Sequence, residues 1–238
     1  MRIGLGISVP LSYVNSISTP QGGIDSYTKL MLHNDDVGLT DSEITPKTVT
    51  LVGSVARSAT QSKFGGYSAI FNGTTDLLSL ADSADWTFGT GDFTVDAWIY
   101  QSSAANTGLF AQYADGNNRM FSQVLATGAI NFLYQTTATI RAYYFTAGGV
   151  VATSGWHHIA FVRNGTSFNI YYDGVAQSLT ASTAIGSNDL NDISALFTVG
   201  GNAGLGNYFN GYIDEFRVSK GIARWTANFT PPLSAYTT

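Results

Sequence analysis

Hydrophobic and polar residues alternate along most of this chain. Phe93, Val95, Ala97 and Ile99 interleave with Thr94, Asp96, Trp98 and Tyr100, and Phe168, Ile170 and Tyr172 interleave with Asn169, Tyr171 and Asp173. A period of two marks a pleated strand with unlike faces. The same reading predicts strands near residues 27–33, 48–52, 68–72, 77–80, 108–113, 119–125, 129–134, 139–145, 196–200 and 208–219. Asn164-Gly165 and Asp173-Gly174 punctuate residues 156–179 and predict two successive hairpins, since such pairs favour the positive φ of type I′ turns. Asn72-Gly73 and Asp115-Gly116 repeat the signal. Helix signals reduce to one short turn at Asp82–Trp86, capped by Asp82 or Ser83. Regular strands with almost no helix predict a sandwich or barrel.

The pattern also predicts which faces are buried. Phe93, Val95, Ala97 and Ile99 face the core between two sheets, as do Ile159, Phe161 and Ile213, with Phe216 and Val218 further along. The other face of the WHHIAFVR segment, Trp156, His158, Ala160 and Val162, is also apolar, so that strand is covered on both sides. At the N-terminus Ile3, Leu5, Ile7 and Val9 alternate with Gly and Ser, which suits an extended arm. Pro10 interrupts the apolar run, unlike a secretory leader. Residues 1–26 therefore read as an arm, and residues 27–238 as one large β domain with no internal linker.

Composition narrows the class. Charged residues make up 11% of 238, against about 25% in ordinary soluble domains, and only Glu43 and Glu215 are Glu. That excludes coiled coils and long helices. A net charge of −5 leaves little to build a nucleic-acid-binding face. A hydrophobic fraction of 44% excludes disorder, yet no apolar run is long enough for a membrane-spanning helix. With no Cys there are no disulfides and no thiolate chemistry.

Three stretches carry a family likeness: SKFGGYSAIFNGTTDLLSLADSADWTFGTGDFTVDAWIY (62–100), GWHHIAFVRNGTSFNIYYDGV (155–175) and FNGYIDEFRVSKGIARWTANFTPP (209–232). In this order they resemble the laminin G-like domains of the concanavalin A-like jelly-roll superfamily, in a subtype common in phage virion proteins. The resemblance implies an all-β, two-sheet antiparallel jelly-roll sandwich with the first strand beside the last.

Some members are glucanases, which need two carboxyl groups facing one cleft. Their E-x-D-x-x-E pattern is absent; Asp214 and Glu215 are adjacent, so a regular strand points them to opposite faces. Asp92 and Asp96 share a face and leave an Asp–Asp pair open, against the plainer reading of a loop acid and a sheet-edge acid. No nucleophile elbow, P-loop, dinucleotide fingerprint or H-E-x-x-H is present. His157 and His158 face opposite ways and cannot share a metal.

Relatives often bind Ca²⁺ through rim-loop oxygens. By that resemblance Asp35, Asp76 and Asp214 are candidate calcium ligands, the alternative being plain turn and edge acids. For carbohydrate, aromatic faces with nearby polar groups nominate Trp98, Tyr113, Asp115, Asn117, Arg119, Arg141 and Tyr143. The competing reading makes Trp98 buried under a loop, Arg119 a solvated charge, and one of Tyr143 and Tyr144 a core residue. The expected function is a non-enzymatic virion-structural or adhesion protein of a phage (a tail, fiber or capsid-decoration component). Its arm docks on a virion scaffold and its jelly roll is exposed on the particle, touching host-surface glycans, with homo-oligomers open and no nucleic acid or membrane involved. The alternatives are a free extracellular lectin with Ca²⁺ assistance and, more weakly, a glycoside hydrolase.

Overall fold

The computed structural model describes residues 23–237. Most of the predicted arm, residues 1–22, lies outside the described residues. Gly23–Ser26, grouped with the arm by sequence, contact the domain: Ile24 N donates to Thr237 O at 2.8 Å, and Asp25 pairs with Arg224.

The chain forms β1 (Thr28–Leu32), β2 (Thr50–Val52), β3 (Ala56–Ser58), β4 (Ser68–Asn72), β5 (Leu77–Leu80), β6 (Phe93–Gln101), β7 (Thr107–Asp115), β8 (Asn118–Val124) and β9 (Ile130–Thr136). There follow β10 (Thr139–Thr146), β11 (His157–Asn164), β12 (Ser167–Tyr172), β13 (Val175–Ala176), β14 (Leu179–Thr183), β15 (Phe197–Val199), β16 (Gly201–Asn202), β17 (Asn207–Tyr208) and β18 (Asn210–Lys220). One eight-stranded antiparallel sheet, sheet A, runs β13-β12-β11-β6-β18-β4-β3, with β1 pairing the far part of β18. The other, sheet B, runs β14-β10-β9-β8-β7-β15-β5-β2. The result is an all-β two-sheet sandwich, and the first strand lies beside the last. The predicted short turn is a 3-10 turn at Ala84–Trp86, capped by Ser83, whose side chain accepts from Asp85 N, and a second 3-10 turn, Ala203–Leu205, lies between β16 and β17. Among the described residues no helix is long and apolar enough to cross a membrane.

The alternation on β6 carries through as predicted. Phe93, Val95, Ala97 and Ile99 enter the core with Ile159, Phe161 and Ile213. Phe132 is the centre of an aromatic stack, 4.7 Å from Phe168 and 6.1–6.4 Å from Phe93, Phe110 and Phe161 between ring centroids. β11 is covered on both sides over Ala160 and Val162, where Trp225 and Phe229 from the C-terminal segment pack. Residues 221–237 act as a strap across the outer face of sheet A.

Two local expectations are corrected. The turns are not all type I′. Asp173 and Gly174 both have positive φ, 49° and 77°, as that turn requires. In the preceding hairpin Asn164 still pairs with Ser167, so the turn residues are Gly165 and Thr166, and only Gly165 is positive. At Asp115-Gly116 the turn residues Gly116 and Asn117 keep negative φ, because the Asp115 carboxylate accepts from Asn117 N and Asn118 N at 2.7 and 2.9 Å and holds the bend. The second correction concerns β18. Its register slips between Asp214 and Arg217, with Glu215 at φ 49°. This bulge lets Ile213 and Phe216 both face the core, three residues apart. Asp214 and Glu215 therefore both reach groups outside the core, not opposite faces as strict alternation requires.

Candidate functional site

The outer face of sheet B is built from three cross-strand rows. Tyr113 pairs with Arg119 and Arg119 with Gln135, and Arg119 Nε donates to Gln135 Oε1 at 3.1 Å. In the next row Ala111, Phe121, Leu133 and Tyr143 are successive partners, forming a small apolar patch on which the half-buried Tyr143 ring rests. The third row sets Gln123, Asn131 and Phe145 side by side, with Asn131 Nδ2 donating to Gln123 Oε1 at 3.3 Å. The Tyr143 and Phe145 ring centroids are 4.3 Å apart. Arg141 lies in the β10 bulge between Ile140 and Ala142, and its Nε is buried without a hydrogen-bond partner. None of these positions is Asp or Glu. The face combines aromatic rings, the Arg119 guanidinium and paired amides. That is the chemistry for holding a ring with one apolar side and a rim of hydroxyls.

Beside Tyr113 the surface drops into a cleft of about 380 Å³ lined by Tyr113, Leu196, Thr198, Asn202 and Gly204. Gly204 lies so close over Tyr113 that a Cβ there would sit 2.2 Å from the ring. Asn202 is fully buried, and neither of its amide atoms is paired.

Of the residues nominated for carbohydrate, the fold thus brings Tyr113, Arg119 and Tyr143 onto one face, and Arg141 is the extra residue of the β10 bulge. Asp115 and Asn117 stay at the exposed tip of the β7–β8 hairpin, where the Asp115 carboxylate is engaged by the turn. Those backbone bonds and Asn118 hold its pKa below the usual carboxylate range. Trp98 belongs to the other sheet and is only 5% exposed, roofed by Phe64 and Lys63. The loop-covered reading of Trp98 is the one realised. Tyr144 is the core member of its pair, its hydroxyl accepting from Ile185 N. Sequence reasoning missed Gln135, Phe121 and Phe145. Phe145 was legible, since the core side of β10 takes Ala142 and Tyr144 and leaves Tyr143 and Phe145 outside.

The acids have other employment. Asp96 is buried on the outer side of sheet A, where Arg217 Nε donates to Oδ1 at 3.0 Å and the Tyr236 hydroxyl to Oδ2 at 2.6 Å. His158 Nε2 stands 3.5 Å from the same oxygen. Burial alone raises this carboxyl; the Arg217 charge, with His158 and Tyr236 alongside, outweighs it and brings it down to about 2. Asp92 accepts from Gly165 N at 2.6 Å, in the β11–β12 turn. The two Asp do not face a common cleft, so the Asp–Asp hydrolase pair is not formed.

Asp35 and Asp214 do approach each other through the pairing of β1 with β18, closely enough for Asp35 to raise the Asp214 pKa. Asp76 holds a different turn, accepting from Ser54 N at 2.6 Å and Asn72 N at 3.1 Å. Asp214 accepts from Lys63 N, Phe64 N and Glu215 N. Among the described residues no group of three His, Asp or Glu is arranged to hold a metal ion, so these acids do not fit calcium as one set. His157 and His158 diverge as expected, His157 Nδ1 meeting Asp173 at 2.7 Å.

Two groups near the strap are perturbed upward. Burial, with Glu215 and Asp35 nearby, pushes Asp214 up to about 7 despite the Lys63 and Phe64 N–H donors. The hydrogen bond to the Glu215 carboxylate at 2.7 Å raises the His33 imidazole against burial. A raised carboxyl or imidazole contributes fully below its unfolded pKa, about 4 for Asp and about 6.5 for His, and loses that contribution as pH rises from there through its folded pKa. Asp96 has the opposite sign: its contribution is present above about 4 and fades towards pH 2. The urea midpoint is therefore expected to peak near pH 4 and fall towards both pH 2 and pH 8. His33→Gln should flatten the alkaline limb. A midpoint that keeps rising to pH 8 contradicts the assignment.

Comparison with known proteins fits this architecture. A family model described as the concanavalin A-like lectin/glucanases superfamily matches residues 72–224. The chain belongs to this superfamily. It is a laminin G-like member. No match was found among curated protein sequences. Among solved structures, domain 4 of AbnA, a GH43 extracellular arabinanase from Geobacillus stearothermophilus in complex with arabinotriose, is 20% identical. Its TM-score is 0.57, over 82% of this chain and 93% of that domain. The binding domain of botulinum neurotoxin DC in complex with rat synaptotagmin II is 12% identical, with a TM-score of 0.61 over 83% of this chain. A botulinum neurotoxin type C structure, from work on cell entry dependent on two ganglioside molecules, is 11% identical with a TM-score of 0.60. The chain spans about half the length of these toxin chains, 49% of each. At such identities the likeness concerns the fold. A similar fold is common to them, and what this chain does rests on its own side chains.

Proposed function

We propose that the chain is a non-enzymatic carbohydrate-binding module that a phage particle displays towards host-surface glycans. The observation that carries the reading is the outer face of sheet B, where Tyr113, Arg119, Gln135 and Tyr143 assemble without a single carboxylate. Glycoside hydrolysis needs two carboxyl groups facing the bond; binding needs aromatic faces and hydrogen-bonding edges, which are the groups present. The arabinotriose complex and the ganglioside interaction named for two of the similar folds support the class of ligand. The virion role draws its support from the likeness of KGIARWTANFTPP to phage subtypes and from the alternating arm sequence, which suits strand addition to a scaffold protein. A homo-oligomer on the particle would multiply weak single-site affinity.

A glycan array with the purified full chain tests the binding. Tyr143→Ala and Arg119→Ala are each expected to weaken the best ligand about tenfold, as loss of one good contact does, while the melting temperature moves little. An array without hits, or variants that bind like the parent, overturns the reading. Deleting residues 1–22 should abolish particle incorporation and leave glycan binding intact; incorporation of the deleted chain refutes the docking role.

A further inference from the structure

On the outer face of sheet A the strap covers only part of the surface. Trp225 and Phe229 fill the space over Ala160, Val162 and Tyr171 and reach as far as His158. Past His158 three half-buried aromatic residues stand in a row. Trp156 immediately precedes β11, Tyr100 lies on β6 and Tyr212 on β18, and Tyr100 and Tyr212 are direct cross-strand partners. Ring centroids are 5.9 Å apart for Trp156 and Tyr100 and 5.8 Å for Tyr100 and Tyr212, both edge to face. The Trp156 indole N–H has no hydrogen-bond partner.

One step along β6 on the same face, Trp98 carries the Lys63 ammonium 3.7 Å above its ring centroid. Lys63 forms no salt bridge among the described residues, and burial depresses its pKa. Two carboxylates act on it at longer range, and both are already engaged. Asp173 accepts from His158 N and meets His157 Nδ1, and Asp214 accepts from three backbone N–H groups. A half-buried ammonium without a close anion is costly, and a ligand carboxylate removes that cost.

We propose that this face is a second carbohydrate site, selective for a sugar that carries a carboxylate. The Trp156–Tyr100–Tyr212 row takes the apolar faces of the rings, and Lys63 takes the acid group. The site lies on the sheet opposite Arg119 and Tyr143, so the two sites are separable by mutation. A neutral glycan would leave Lys63 as it stands and gain nothing from it.

The experiment prints sialylated and uronate glycans beside their methyl esters and probes them with the full chain. Wild type should bind the free acids about tenfold more tightly than the esters, as one charge-assisted contact allows. Lys63→Gln, which keeps the backbone bond to Asp214, should erase that preference. Trp156→Ala should weaken acid and ester alike. Arg119→Ala, on the other sheet, should leave the ratio of acid to ester binding as it is in wild type. Addition of the acid should also shift the Trp156 indole N–H resonance in the ¹⁵N spectrum. Absence of acid binding, equal binding of esters, or acid binding that survives Lys63→Gln overturns the proposal. So does self-association of the chain that Trp156→Ala dissolves when no glycan binds, which would make the row a protein interface. Neutral hits lost only in Arg119→Ala would leave the sheet B reading standing while this one falls.

Discussion

Replacing Arg217 with alanine is expected to lower the unfolding free energy by about 3–5 kcal/mol, the usual cost of stranding one partner of a buried ion pair. Arg217 donates to Asp96 through Nε and a terminal nitrogen at 3.0 and 3.3 Å, and both side chains are fully buried. Its guanidinium also stacks on Tyr236, 3.7 Å from the ring centroid, and donates to Gly23 O at 3.4 Å. Losing it leaves the Asp96 carboxylate in a dry environment with only the Tyr236 hydroxyl and the nearby imidazole. It also loosens both ends of the described chain. Urea unfolding read by far-UV circular dichroism measures the loss. Asp96→Asn in the Arg217→Ala background should restore part of it, because the stranded charge is gone. A loss below about 1 kcal/mol would show that the cluster is hydrated and not a buried ionic clasp.

Phe132→Ala is expected to cost a similar amount, about 3–5 kcal/mol, for a different reason. Phe132 is fully buried between the sheets, in ring contact with Phe93, Phe110, Phe161 and Phe168. The neighbours come from four strands of two sheets, so no single side chain can relax into the space left. The variant should unfold at lower urea yet keep its affinity for any glycan, since Phe132 and Tyr143 project from opposite faces of sheet B. Tyr143→Ala should behave the other way round. That crossed pair of outcomes separates scaffold from site. If Phe132→Ala lost affinity while still folded, the outer face would be coupled to the core more tightly than the geometry implies.

Much of the scaffold was legible in advance, because strand alternation is a local property. A side chain on β6 either faces the core or does not, and Phe93, Val95, Ala97 and Ile99 declare it every second residue. The shared face of two of the nominated residues was legible to the same extent. Arg119 and Tyr143 fall on the side opposite Met120 and Tyr144, so their sharing an outer face follows from parity once the strands are placed. Trp98 was not decidable in this way. Parity puts it outside the core, but its cover is a loop about 35 residues earlier, whose Lys63 and Phe64 backbone N–H groups are pinned by Asp214.

The sequence by itself determined the class of fold, the inward face of each long strand, and the scarcity of acid that disfavours a hydrolase. Those follow from periodicity and composition, which need no knowledge of distant neighbours. Tertiary structure alone decided the partners. The β18 bulge at Glu215 turns two adjacent acids away from the core together. Asp96 meets Arg217 and Tyr236, respectively 121 and 140 residues away, and becomes a structural charge. Such contacts depend on how two sheets and a terminal strap close in space, and burial and charge pairing are set only when they do.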